Sequence, residues 1–204
     1  MGFAGSVSRV LRTGALALGV ASVFAFGASA QAGALNGHAQ AYAGWTGTTA
    51  FDNGAGLSGT IDWTVFAPGD FPYAGYSPTA GEAVYAFQVY STGTASIHSL
   101  TLNEATGTGN NIGSFGDLGG EAPSSMSIGA QAQWNFAGLD TGEFSTGLAF
   151  SSIKAPTNLF GVVVNGGGFA VALPLPVPGA NDIPEPASLA LLGLGCGLVL
   201  RRRG

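Results

Sequence analysis

General acid–base chemistry near neutral pH needs His, Lys or closely set carboxylates. Between residues 31 and 182 the chain offers His38, His98, Lys154 and ten scattered acids. His98 is followed at two-residue steps by Leu100 and Leu102. It is therefore expected on the leucine face of a strand, as a structural histidine. His38 follows closely on the N-terminal apolar segment, where chains are often mobile. A hydrolase would need two buried acids within ~10 Å in a cleft. There is no Gly-x-Ser-x-Gly elbow, His-Glu-x-x-His, phosphate-binding Lys loop or paired Cys. No catalytic residue, cofactor or transition-metal site is expected, and the chain is not expected to be an enzyme.

Three other patterns invite a binding reading. Gly54-Ala55-Gly56-Leu57-Ser58-Gly59 matches the dinucleotide fingerprint by letter. That fingerprint should open a helix, but here it leads into a strand-like run, so a hairpin connection is expected. Asp52, Asn53 and Asp70 lie near expected turns, where oxygens could gather around Ca2+. No EF-hand or nonapeptide pattern accompanies them, and solvated turn residues are the simpler reading. Phe71, Tyr73 and Tyr76, with Trp45 earlier in the chain, could stack on sugar rings. The simpler reading is that these aromatics cover part of the core.

The elements that must position these residues are strands. Ile61, Trp63 and Val65 alternate with polar neighbours, as do Tyr85, Phe87 and Val89, and Ala132, Trp134 and Phe136. Leu148 and Phe150, and then Phe169, Val171, Leu173 and Leu175, repeat the two-residue step. This period puts one face on a core and one toward water. Asn53-Gly54 and Asn165-Gly166 predict hairpins, while Pro68-Gly69-Asp70 and Asp140-Thr141-Gly142 predict turns. The reading is an all-β fold: one antiparallel β-sandwich, jelly-roll-like, of about eight strands. Its core should include Trp63, Phe87, Trp134, Phe136, Phe150 and Val163. Residues 68–81 should form a long aromatic loop, 106–123 a weakly structured Gly-rich stretch, and 178–182 a linker.

Charge narrows the partners. Only 8% of residues are charged, against ~25% in a typical soluble protein. Five of the six cations lie near the two ends, so residues 31–182 carry a net charge of −9 from ten acids and one Lys. Such a body repels phosphate backbones, and no nucleic-acid partner is expected. The single cysteine, Cys196, lies in the C-terminal apolar run, so the body has no disulfide.

Both ends read as targeting segments. Arg9 and Arg12 precede the apolar run Gly14 to Gly27, and Ala28-Ser29-Ala30 follows. Small residues at Ala28 and Ala30 predict a signal peptide over 1–30, cut after Ala30, with Ala32 as the neighbouring alternative. The opening Met-Gly also fits a myristoylation pattern, read here as a chance match. At the other end Pro184-Glu185-Pro186 precedes an uncharged run, Ala187 to Leu200, and then Arg201-Arg202-Arg203. The prolines stop structure running in from the body. As a helix, the 14 residues would span roughly 21 Å, short of the ~30 Å hydrocarbon core. Snorkelling arginines would extend it and stay cytoplasmic.

The order of Pro184-Glu185-Pro186, apolar run and arginine cluster resembles the PEP-CTERM sorting signal. The resemblance covers about the last 22 residues plus the export signal. It implies processing by exosortase, a membrane enzyme that cuts near the Pro-Glu-Pro motif. It also implies association with exopolysaccharide and biofilm matrix. Cys196 departs from the usual Leu, Gly and Ala of such runs, and a small apolar membrane residue is its simplest reading. The expected organisation is signal peptide 1–30, β-sandwich 31–177, linker 178–182 and sorting tail 183–204. A signal helix and a short transmembrane helix would flank the body. The expected route is export, transient anchoring in the inner membrane, then the cell surface or matrix.

Overall fold

The computed structural model describes residues 35, 38, 40–103, 109–165 and 168–182. The expected signal segment 1–30, with its cleavage residues Ala28 and Ala30, lies outside the described residues. So does the expected tail 183–204. The chain divides into two compact units, Met1–Ala30 and Gln31–Gly204, and every described residue belongs to the second.

The described part is all-β. Its strands are β1 Ala41–Asp52, β2 Ser58–Phe66, β3 Ala83–Ser91, β4 Ile97–Asn103 and β5 Asn110–Phe115. They continue as β6 Ser125–Ile128, β7 Gln131–Leu139, β8 Gly147–Ser152, β9 Lys154–Asn165 and β10 Gly168–Asp182. They form two five-stranded sheets, ordered β1-β2-β3-β8-β5 and β10-β9-β4-β7-β6, and every ladder between these strands is antiparallel. Among the described residues no helix is long and apolar enough to cross a membrane.

The inward side chains of both sheets make one apolar cluster. Ile61, Tyr85, Phe87, Val89, Leu148 and Phe150 come from the first sheet, and Leu100, Leu102, Trp134, Phe136 and Val163 from the second. Tyr85 and Phe150 stack with centroids 5.0 Å apart. Trp134 donates its Nε1–H to the Gly113 carbonyl at 3.0 Å, a bond that ties β7 of one sheet to β5 of the other. The alternating residues of β2, β3, β7 and β8 thus face the core as their spacing predicts. Trp63 is the exception among the six expected core residues. It is only half-buried, because its ring reaches the open edge where β1 and β10 meet.

Several expectations are corrected. Among the described residues ten strands form, against an expected eight or so. The Gly-rich stretch 106–123 contains β5, which is held by its ladder to β8 rather than by local preference. The expected linker 178–182 is the last part of β10, paired to β9 as far as Asp182 opposite Lys154. Pro174, Pro176 and Pro178 fit within β10 because an edge strand tolerates residues that cannot donate. In β10 the alternation is read correctly but in the wrong phase. Ala170 and Ala172 are buried, while Phe169 (64% exposed), Val171 and Leu173 (52% exposed) face outward. A register shift between Ala172 and Leu175 then turns Leu175 inward. His98 is also exposed, because a register shift between Ile97 and Ser99 moves it off the face of Leu100 and Leu102.

Gly59 marks a tight crossing in β2. A Cβ there would lie 2.0 Å from the Tyr90 carbonyl oxygen and 2.6 Å from the Phe51 ring. Gly59→Ala is therefore expected to destabilise the fold by about 1–3 kcal/mol through overpacking. Gly129→Ala, which meets nothing within 4 Å, should shift stability by no more than about 0.5 kcal/mol. Equal urea midpoints for the two variants would contradict this packing.

Candidate functional site

The aromatic loop does not present a free platform. Phe71, Tyr73 and Tyr76 fold back over the outer face of the first sheet, onto Phe66, Val84, Ala86, Phe115 and Ala149. Their rings meet mostly edge to face: Phe71 lies 5.4 Å from Phe66, 5.2 Å from Phe115 and 5.5 Å from Tyr76. Tyr73 stacks on Phe115 at 4.8 Å. Tyr76 lies flat on β5, where a Cβ at Gly113 would sit 2.6 Å from its ring. Asp117 holds the loop by accepting the Ala74 amide at 2.6 Å. His38, expected in a mobile segment, packs edge-on against Phe66 at 5.1 Å and Tyr73 at 5.8 Å.

Trp45 is not part of this cluster. It packs against the inter-sheet core instead. The β1–β2 ladder shifts register between Ala41 and Thr46. Gly44 takes φ 80° within that irregularity, a conformation glycine adopts without steric cost. Such bulges re-aim the side chains around them. Trp45 and Trp63 line one open groove of about 280 Å3 together with Gly44, Asn158 and Pro174. The sequence held one signal for this pairing: Trp63 sits on the inward phase of β2, with nothing in the alternation to show that the neighbouring edge is open.

The Trp63 ring is locked. Its Nε1–H donates to Thr49 Oγ1 at 3.0 Å, and that hydroxyl donates to the Pro174 carbonyl at 2.6 Å. Beneath it Gly47 leaves the space, since a Cβ there would stand 2.7 Å from the ring.

The acidic turns are occupied by local structure. Asp52 Oδ1 accepts the Gly54 amide at 2.7 Å, and Asn53 Oδ1 accepts Ala55 at 2.8 Å and Leu57 at 3.1 Å. These bonds shape the β1–β2 hairpin, so the Gly54–Gly59 pattern connects two strands and opens no helix. Asp70 is exposed. Among the described residues no three His, Cys, Asp or Glu side chains gather to hold a metal ion.

Among the described residues two acids are buried, Glu82 and Asp62. Glu82 accepts Ser151 Oγ at 2.6 Å and Asn110 Nδ2 at 3.0 Å. Asp62 accepts Thr48 Oγ1 at 2.6 Å. Asp62 lies opposite Gln88 in the β2–β3 ladder. Six residues of strand separate that level from Glu82, about 20 Å at ~3.3 Å per residue. Paired glycosidase carboxylates stand only ~5–9.5 Å apart.

Tyr76 and Tyr90 have their pKa values pushed up to about 12. Burial is the main cause for each. Glu82 adds its negative charge at Tyr76, against a lowering hydrogen bond from Ser151, and Asp62 adds its charge at Tyr90. Tyr73 is raised too, by burial and then by Asp117. In the unfolded chain these phenols ionise near ~10. Their contribution to stability is complete below about pH 10 and is lost as pH rises toward about 12. A phenolate absorbance titration should show delayed ionisation accompanied by falling stability over that window. Stability unchanged between about pH 10 and 12 would contradict these environments.

Residues 182–203 match the PEP-CTERM protein-sorting motif. That match holds Pro184, Glu185, Pro186 and Arg201, Arg202, Arg203, and covers none of the body beyond Asp182. The motif marks an exported protein that transits the membrane and is processed by an exosortase-type enzyme. No curated protein and no solved structure matches the chain.

Proposed function

We infer that the chain is a non-enzymatic cell-surface or extracellular-matrix protein, exported and parked by its tail, and retained with exopolysaccharide in a biofilm. Its described body is a β-sandwich that serves as the delivered cargo. The observation that carries this reading is the position of the sorting motif. The match begins at Asp182, the residue on which β10 ends. The last described strand therefore runs up to the residue at which the sorting motif begins.

Two further observations support the non-enzymatic part. Glu82 and Asp62 are engaged by neighbouring side chains and too widely spaced for paired carboxylate chemistry. His98 is exposed on β4, and His38 lies among aromatic rings. Immunodetection of the body in washed cell-surface and biofilm-matrix fractions tests the proposal. Recovery there in processed form is the expected result. Processed protein found only in the periplasm would reject the surface assignment. A second reading, a carbohydrate-binding module, draws on the paired tryptophans rather than on the loop 68–81.

A further inference from the structure

We propose that the groove between Trp45 and Trp63 binds a short stretch of a neutral hexopyranose polysaccharide. The proposal rests on the matrix reading only for the source of its ligand.

Its wall is built in advance. Thr49 holds the Trp63 N–H, so that ring offers its face and not its donor. The link from Thr49 to Pro174 fixes the edge of one sheet to the edge of the other across the groove. Trp45, next to the glycine at φ 80°, supplies the second indole. Indole faces suit the C–H faces of a sugar ring, because the ring is apolar in its body while its rim is polar. Among the described residues the Trp45 Nε1–H and the exposed Asn158 amide have no hydrogen-bond partner within the fold. Both residues line the same groove, where these groups would meet sugar hydroxyls.

Size and charge select within the sugars. At about 280 Å3 and open to solvent, the groove lies at the lower limit of the ~300–1,000 Å3 of sites that enclose a small molecule. It fits part of an extended chain that runs on past both ends. No charged residue lines it, and the surrounding body carries −9, which repels uronate, sulfate and phosphate polymers. An acyl chain is a poorer occupant, since Asn158 and Trp45 N–H would lose water without replacement.

The test uses the full chain in a polyoxyethylene detergent, which has no sugar headgroup. Neutral hexasaccharides of glucose, mannose, galactose and N-acetylglucosamine are titrated by tryptophan fluorescence and by saturation-transfer NMR. Hexagalacturonate serves as the charged comparison. Saturable binding of at least one neutral hexasaccharide is expected, tighter than hexagalacturonate. Trp45→Ala should weaken it about tenfold or more, as expected for truncating an aromatic anchor. Asn158→Ala, at an exposed position that the fold does not need, should weaken it about threefold to tenfold. Trp63→Phe should retain most of the affinity. Circular dichroism reports separately on folding. Binding of none of the four, preference for the charged oligomer, or affinity unchanged in both Trp45→Ala and Asn158→Ala overturns the proposal. Sorting is read by fractionation in cells and binding by titration in solution, so failure of one is distinguishable from failure of the other.

Discussion

Ending the chain after Asp182 is expected to move the body completely out of the membrane fraction and into the medium. The truncation removes the whole uncharged run Ala187 to Leu200 and the three arginines behind it. It leaves every described strand intact, since β10 closes on Asp182 opposite Lys154. Burial of apolar side chains in the hydrocarbon layer is the anchor's driving force, and each leucine contributes about 0.3–0.6 kcal/mol at the centre of a span. In such an anchor Arg201, Arg202 and Arg203 would stay on the cytoplasmic side. The informative alternative is a truncated body that still floats with membranes. Phe169, Val171 and Leu173, exposed in a row on β10, would then be the first suspects, and Leu173→Ser with Phe169→Ser should release it. Membrane retention that survives those changes would contradict the assignment of the tail as the anchor.

The second large effect concerns Trp134. It is fully buried between Phe87 at 6.1 Å and Phe150 at 6.3 Å. Trp134→Ala should cost about 3–5 kcal/mol, combining lost burial with an unfilled cavity. The Gly113 carbonyl would also lose its partner. A domain of this kind holds only about 5–15 kcal/mol in total, so much of that reserve disappears. Trp134→Phe keeps most of the ring but not the N–H, and should cost about 1–3 kcal/mol through the unpaired carbonyl. Urea unfolding monitored by circular dichroism measures both. Equal losses for the two variants would mean that the ring's volume is unimportant and the inter-sheet bond dominates.

Where the sequence was legible, one face was apolar and the other polar. Ile61-Asp62-Trp63-Thr64-Val65 and Ala132-Gln133-Trp134-Asn135-Phe136 leave no choice of phase, and both strands face the core as read. Phe169-Ala170-Val171-Ala172-Leu173 is apolar on both faces. Its period survives, but only the pairing of Ala170 with Val163 decides which side turns inward. Asn110 to Phe115 carries almost no local strand signal, and its ladder partner β8 lies more than thirty residues on. His98 illustrates a third cause. A single register shift reverses the face of every later residue in the strand, and no residue near Ile97 announces it.

The candidate site divided along similar lines. The tail was readable because its residues act through local composition: two prolines, an apolar run, a cationic end. The groove was not, because Trp45, Trp63, Asn158 and Pro174 come from four strands in two sheets. Phe71, Tyr73 and Tyr76 were legible as a group because they share one short loop. Its rings are largely occupied by one another and by Phe66 and Phe115.

Mass spectrometry of both termini of the protein, recovered from wild-type cells and from cells lacking the sorting enzyme, tests the delivery account most directly. In wild-type cells the N-terminus should begin after Ala30 or Ala32, and the C-terminus should end near Pro184-Glu185-Pro186. Without the enzyme the chain should keep Gly204 and stay with the inner membrane. An intact C-terminus at the surface of wild-type cells, or a cytosolic chain still carrying Met1, would contradict it.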